Sequence, residues 1–155
     1  MKARLFKVEN RLAAVVIRPG GRSIAETIQR ADKRVQKLHG ELREGLPAMV
    51  AQLAALADGR NDNPKLTLDR LYEAANHLFA IAAAVGLESL AGAAYGLCDI
   101  VDAFRDTGAA NWQAIAVYLD GIKLMSVQET TEADQAVLRG LRKLGAHYAG
   151  RARPT

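Results

Sequence analysis

The sequence predicts an all-α protein, an antiparallel up-down four-helix bundle with an additional helical segment at its N-terminus. Apolar residues recur at alternating spacings of three and four along most of the chain, which is the period of amphipathic helices that pack on one another. Aromatic residues make up only 5% of the chain, and β-branched runs bounded by turn residues, the pattern of strands, are nearly absent. The 155 residues, 50% of them hydrophobic, fit one domain with its own core.

Residues 1–22 are predicted to be an N-terminal arm or short helix. Their apolar positions are spaced by three, four and three, which indicates an amphipathic helix; the alternative is a loosely ordered arm that docks on a partner. These positions are Leu5, Val8, Leu12 and Val15. The sequence Pro19-Gly20-Gly21 then interrupts the chain.

The main domain, predicted over 23–150, begins with a long helix. Ser23 is its expected N-cap, because Glu26 three residues later completes a capping box. Gly45 and Pro47 interrupt the apolar stripe, so we expect a kink or break near Gly45 to Leu46. The stripe consists of Ile24, Ile28, Ala31, Val35, Leu38 and Leu42 before the break and of Met49, Leu53 and Leu56 after it.

The next two helices follow a loop over 58–64. Thr67 is the expected cap of the first of them and Gly86 its end, and the other ends at Gly108. Their stripes are Leu71, Ala75, Leu78, Ala82 and Val85, and then Leu90, Ala94, Leu97, Val101 and Phe104.

Two further helices complete the bundle. Asn111 is the expected cap of one, and the other starts near Thr130 or Thr131. Their stripes are Trp112, Ile115, Tyr118, Ile122 and Met125, and then Ala133, Val137, Leu141, Leu144 and Tyr148. The short connections between the later helices imply antiparallel neighbours. Residues 151–155 are a small basic tail.

Charge and composition argue against several classes of function. The net charge of +4 comes from Lys and Arg that are interspersed with acids, whereas a nucleic-acid site needs a clustered basic face. The single cysteine, Cys98, cannot form an internal disulfide and lacks the spacing of a metal site. The start is not a signal peptide, and no apolar run approaches the ~18 residues of a membrane span. We therefore expect a cytoplasmic protein without membrane insertion, metal or cofactor.

The stretch from Ala74 to Leu87 is the part of the sequence that bears on function. On a helical wheel centred on Leu78, Asn76 lies about 160° away on the outer face, and His77 and Phe79 lie about 100° to either side. Ala80 and Ala83 lie close to Asn76. An outer face made of alanines and one amide, without charged residues, is typical of a binding surface.

This stretch resembles the active helix of histidine-containing phosphotransfer (HPt) domains, especially those of chemotaxis kinases. That family uses A-H-x-[I/L]-K-G, five mostly small or apolar residues, and then Gly with an apolar residue. Here Ala75-Asn76-His77-Leu78-Phe79-Ala80 opens the motif and Val85-Gly86-Leu87 closes it. The resemblance covers roughly residues 23–126, and the chain is also similar to small accessory proteins of alphaproteobacterial chemotaxis clusters, of the CheE type.

The chain departs from the HPt motif at the residues that carry the chemistry. Counted back from Gly86, the phosphoaccepting histidine of the family falls on Asn76, its lysine on Phe79 and its glycine on Ala80. Its partner positions on the next helix fall on Tyr95 and Cys98. An asparagine amide nitrogen is a donor only and no nucleophile, and Phe79 has no charge to offset that of a phosphoryl group.

The resemblance therefore implies a non-catalytic HPt-like module rather than an enzyme. Its partner would be a response-regulator receiver domain or a histidine kinase of a bacterial two-component or chemotaxis pathway. The expected partner-binding residues are Asn76, His77, Phe79, Ala80 and Ala83. Two alternatives stay open: an active phosphotransfer protein that uses His77 as phosphoacceptor, and a self-associating structural bundle whose alanine face is a homodimer interface. Asp99, Asp102 and Asp106, spaced by three and four, are interpreted as a solvated acidic stripe rather than a metal site.

Overall fold

The computed structural model describes residues 23–126 and 131–152, with side chains described up to Tyr148. Within these ranges the protein is all-helical and contains no strand, which confirms the predicted all-α class. The helices are α1 (Ile24–Asp58), a short 3-10 helix (Gly59–Asn61), α2 (Pro64–Ala84), α3 (Glu88–Thr107), α4 (Trp112–Met125) and α5 (Glu132–Ala152). The described part thus has five α-helices, so the four-helix bundle of the prediction is not confirmed. The predicted arm over 1–22 and the end of the basic tail, 153–155, lie outside the described residues.

The chain divides into two compact units, Met1–Lys37 and Leu38–Thr155. Helix α1 begins in the first unit. The core lies in the second unit, where α3 contributes the largest share of buried residues.

Helix α1 begins as predicted and then differs from the prediction. The Ser23 hydroxyl accepts a bond from the Glu26 N–H, and the Glu26 carboxylate accepts one from the Ser23 N–H, both at 3.1 Å. Of the kink or break predicted near Gly45 to Leu46, the break is wrong, because α1 continues through Pro47 to Asp58. Pro47 itself is exposed, while its neighbours in the helix, Leu46 and Val50, are 2% and 5% exposed. Burial of these neighbours offsets the missing hydrogen bond of the proline.

Helix α2 starts earlier in the chain than predicted from the sequence. Its cap is Asn63, whose side-chain oxygen accepts a hydrogen bond from the Leu66 N–H at 3.0 Å, and Pro64 takes the first helical position. Pro64 suits that position because the N–H that proline lacks would have no partner there. Thr67, predicted as the cap, is a buried residue inside the helix.

The turn between α2 and α3 is tight and local. Gly86 has a φ of 77°, in the left-handed region. The Leu87 N–H donates to the Ala82 carbonyl at 2.9 Å and the Gly86 N–H to the Ala83 carbonyl at 3.2 Å, which is the pattern of a Schellman motif. The prediction that Gly86 ends α2 is confirmed, as is Gly108 at the end of α3, with a φ of 68°.

The last two helices also begin with capping hydrogen bonds between residues three positions apart. The Asn111 side-chain oxygen accepts from the Ala114 N–H at 3.0 Å, as expected of a cap. Before α5, the Thr131 N–H donates to the Asp134 carboxylate at 2.7 Å, and the Asp134 N–H to the Thr131 hydroxyl at 3.3 Å. Asp134 is buried, and Ala133, predicted for the apolar stripe, is exposed. The buried positions of α5 are therefore Asp134, Leu138 and Leu141.

Contacts along the helices give their directions. Helices α2 and α3 are antiparallel, because Asp69 near the start of α2 meets Arg105 near the end of α3. Helix α5 runs in the same direction as α3, since Ser89 bonds Gln135 at their starts and Phe104 contacts Tyr148 further along. Helix α4 is antiparallel to α5, with Asn111 bonded to Tyr148.

Candidate functional site

The middle of α2 presents an outer face without charged side chains. Leu78 and Ala75 are buried at 1% and 0% exposure, which leaves Asn76 on the opposite side, exposed. Over residues 76–84 the exposed positions are Asn76, His77, Ala80, Ala83 and Ala84. The side of α2 that faces solvent is therefore the one that its hydrophobic spacing predicts, with the Asn76 amide and small alanines exposed.

Two aromatic rings border this face on the α3 side. Phe79 is half-buried, and its ring centroid lies 5.6 Å from that of Tyr95, with the rings tilted by 57°. This distance and tilt fit the attractive geometry of an aromatic pair. Tyr95 is 54% exposed, so the pair offers a large apolar surface beside the alanines.

On the other side of the face, His77 lies in a groove between α1 and α2. Gln52 and Leu56 of α1 and Arg70 and Glu73 of α2 line the same groove. Glu73 lies one helical turn before His77, so the carboxylate and the imidazole share one side of the helix. His77 thus borders the mixed charges of the groove, whereas Ala80 and Ala83 continue the uncharged face beyond Asn76.

The positions on α3 that the resemblance sets opposite Asn76 hold no ring-orienting carboxylate or amide. Tyr95 contacts Phe79, and Cys98 is buried with its thiol 3.9 Å from the Tyr72 carbonyl oxygen, to which it donates. Burial raises the pKa of the Cys98 thiol to about 11, and the charge of Asp99 adds to this effect. A thiol with this pKa stays protonated near neutral pH and is not a nucleophile.

Of the three aspartates that the sequence places along α3, Asp102 belongs to a charge network around Arg105. Arg105 pairs with Asp69 at 2.8 Å and with Asp102 at 3.3 Å, and its guanidinium lies 5.0 Å from the centre of the Tyr72 ring. Burial raises the pKa of Asp99, and the neighbouring charge of Asp102 adds to it. Over 23–126 and 131–148, no group of three or more His, Cys, Asp or Glu side chains can hold a metal ion.

Two features of this region were not identified from the sequence. One is the central place of Arg105, which joins α2 to α3. The other is Arg43, whose guanidinium donates to the Val85 carbonyl oxygen at 3.0 Å and so ties α1 to the end of α2. Both are long-range pairs, and neither residue stands out in its own segment.

Comparison of the chain with protein-family models, with curated proteins and with solved structures gave no match. None of the helices in the described ranges combines the length and the apolar character needed to cross a membrane. The structure therefore defines an all-α protein whose outer α2 face is small, uncharged and flanked by two aromatic rings, and the functional interpretation depends on that face.

Proposed function

We propose that the chain is a non-catalytic HPt-like binding module. It docks a response-regulator receiver domain or a histidine kinase and modulates a bacterial two-component or chemotaxis phosphorelay, as a cytoplasmic protein without a cofactor of its own. The docking face consists of Asn76, His77, Phe79, Ala80 and Ala83, the residues that the motif of α2 indicates.

The observation that carries this proposal is the exposure of Asn76, Ala80 and Ala83 on the outside of an antiparallel helix pair. A solvated helix face ordinarily carries charged residues, and this face has none over two turns. Small residues let the backbone of a partner approach closely, and the half-buried ring of Phe79 provides an anchor of the kind that dominates binding energies.

The same face supports a non-catalytic role. Transfer of a phosphoryl group through a histidine needs an imidazole nitrogen with a free lone pair, held by a hydrogen bond on the other nitrogen. The exposed central position is Asn76, which has no such nitrogen. The position at which the family has a charge-stabilising lysine is occupied here by Phe79, whose phenyl ring is uncharged.

Binding of purified receiver domains and histidine kinases from the host of this chain tests the proposal. Biolayer interferometry with immobilised wild-type protein measures the dissociation constants, and Ala83→Glu places one charge in the docking face. We expect this variant to weaken binding by about tenfold or more, because burial of an unpaired charge is unfavourable. Gln113→Glu, at an exposed position of α4, adds a negative charge to the surface elsewhere and should bind like the wild type.

Phosphate transfer is followed in the same experiment with a labelled kinase or receiver. Binding without label on the chain supports the proposal. Absence of any binding to the host's receivers and kinases contradicts it. Label that disappears in His77→Gln contradicts the non-catalytic role and favours the second candidate.

The second candidate is an active phosphotransfer protein that uses His77. The groove around His77 supports it, because Glu73 can orient the ring by accepting a hydrogen bond and Arg70 offers a positive charge. The distinguishing result is label that depends on His77 and also falls in Arg70→Ala, while it stays unchanged in Asn76→Ala.

A self-associating structural bundle is the remaining alternative, with the alanine face as a homodimer interface. Light scattering measures the mass of the wild type and of Ala83→Glu. A wild-type dimer that becomes a monomer in this variant supports self-association through the face. A dimer that persists places its interface elsewhere.

A further inference from the structure

The first half of α1 carries an apolar stripe that faces solvent. Its large residues Ile24, Ile28 and Val35 are 80%, 54% and 50% exposed. They recur at helical spacing together with Ala31, so they form one continuous face. A helix that exposes its apolar side over about three turns needs a partner to cover that side.

The sequence before Ser23 has apolar residues at a spacing that matches the exposed stripe of α1. Its apolar residues have spacings of three, four and three, and three of them match residues of the stripe one by one. The link Pro19-Gly20-Gly21-Arg22 connects the two patterns and has the length and the residues of a tight helix-to-helix turn. The matched pairs, each equidistant from the peptide bond between Gly21 and Arg22, are Val15 with Ile28, Leu12 with Ala31 and Val8 with Val35.

We propose that residues 1–18 cover the stripe of α1 by folding back on it as the first arm of a helical hairpin. The short link favours it over a second copy of the chain, since it holds the arm at a high local concentration beside α1. The docking face on α2 is a separate surface, and this inference does not depend on its function.

Disulfide trapping in the full-length chain tests the pairing. Val8→Cys combined with Val35→Cys places two thiols in one layer of the hairpin, whereas Val8→Cys combined with Lys33→Cys sets the second thiol on another side of α1. The native Cys98 is buried and can stay in place. Under mild oxidation we expect an intramolecular disulfide in the first variant, formed about tenfold faster than in the second, because only the first pair meets disulfide geometry.

Three other results overturn the proposal. An intermolecular disulfide in the first variant identifies a second copy as the occupant. Equal rates in the two variants indicate that the arm does not pack in one register. No disulfide in either variant shows that the arm is not beside α1. Peptide mapping by mass spectrometry tells these results apart.

Hydrogen exchange supplies a second readout without cysteines. Leu12→Glu disrupts the apolar side of the arm, and Asn10→Glu adds the same charge on its other side. We expect amides over 28–35 to exchange faster in Leu12→Glu than in the wild type, and Asn10→Glu to match the wild type. Unchanged exchange in Leu12→Glu contradicts the proposed cover.

Discussion

The hydroxyl of Tyr118 on α4 donates a hydrogen bond to the Leu141 carbonyl oxygen on α5 at 2.7 Å. Tyr118 is only 2% exposed, and its ring occupies space that two glycines leave open. A Cβ atom on Gly96 of α3 would lie 2.8 Å from a ring carbon of Tyr118, and one on Gly145 of α5 would lie 2.6 Å from its hydroxyl oxygen. Three helices therefore meet at the side chain of Tyr118. The helices can approach this closely because Gly96 and Gly145 have no Cβ atom.

This packing predicts an unusual effect of alanine at Gly145. Glycine inside a helix ordinarily costs stability relative to alanine. Here we expect Gly145→Ala to lower the free energy of unfolding by about 1–3 kcal/mol, because its Cβ collides with the Tyr118 hydroxyl. Tyr118→Phe alone should cost about 1 kcal/mol through the lost hydrogen bond. In the double variant the loss should be smaller than the sum, since the hydroxyl that collides is gone.

Gly140→Ala is the matched control on the same helix. A Cβ at Gly140 meets no atom within 4 Å, and the residue is exposed. We expect this variant to gain about 0.5–1 kcal/mol. Urea denaturation followed by circular dichroism measures all four variants. A stabilised Gly145→Ala, or full additivity with Tyr118→Phe, contradicts the packing described above.

The continuous path of α1 through Pro47 gives a second prediction. Proline in a helix interior removes one hydrogen bond and crowds the preceding turn. Pro47→Ala should therefore raise the free energy of unfolding by about 1–3 kcal/mol. Pro64→Ala is the control, because Pro64 takes the first position of α2, where proline is suited to the helix. If the two variants change the unfolding midpoint equally, Pro47 does not strain the helix.

Cys98 predicts a fall in stability at alkaline pH. Burial raises the pKa of its thiol from 9.0 to about 11 in the folded protein. Above pH 9 the thiol ionises in the unfolded chain but stays protonated in the folded protein, and this favours unfolding. The contribution of the thiol to the free energy of unfolding is therefore complete below pH 9 and is lost as the pH rises toward 11. We expect the free energy of unfolding to decline from pH 9 upward, and Cys98→Ala to decline less steeply over the same range.

The comparison is cleanest between pH 9 and 10. Burial also raises the pKa of Tyr118, from 10.0 to about 12, but its ordinary pKa lies one unit above that of the thiol, so Tyr118 contributes less than Cys98 in this range. The measurement is a set of urea titrations at fixed pH values. A thiol-reactive dye at neutral pH gives an independent check, because the folded protein should react slowly and the unfolded protein rapidly. Parallel pH slopes for the wild type and Cys98→Ala would show that the thiol titrates normally.

The HPt interpretation predicts what a histidine at position 76 would do. Asn76→His places an imidazole at the exposed centre of the docking face, and Phe79→Lys adds the positive charge that the family has at that position. We expect the double variant to take up label from a phosphorylated receiver that the wild type binds without accepting phosphate. Ala80→His with Phe79→Lys is the control, with the imidazole one turn further along the same face. If both variants bind the receiver but neither takes up label, the face docks a receiver without having the residue register of an HPt site.

Local features of the fold could be predicted from the sequence. The capping box of Ser23 and Glu26, the cap of Asn111 and the glycine ends at Gly86 and Gly108 all agree with the structure. Each depends on residues within one or two turns of chain. The cap of α2 is Asn63 and not the predicted Thr67, because Pro64 suits the first helical position, directly after Asn63.

For the candidate site, the sequence predicted which residues of α2 face outward, and the exposure of Asn76, Ala80 and Ala83 agrees with it. The two borders of that face could not be predicted. The contact of Phe79 with Tyr95 and the groove that joins His77 to α1 each bring together residues of different helices.

The sequence by itself thus determined the helical class, most helix ends and the outward side of α2, because hydrophobic period and capping act over a few residues. Only the tertiary structure decided that α1 passes through Pro47 unbroken, that Arg105 links α2 to α3 and that Tyr118 fits against glycines of two other helices. These features depend on burial and on contacts between helices distant in the chain. The free energy of those contacts outweighs the low helix propensity of proline and glycine. A local sequence pattern gives no information about such contacts.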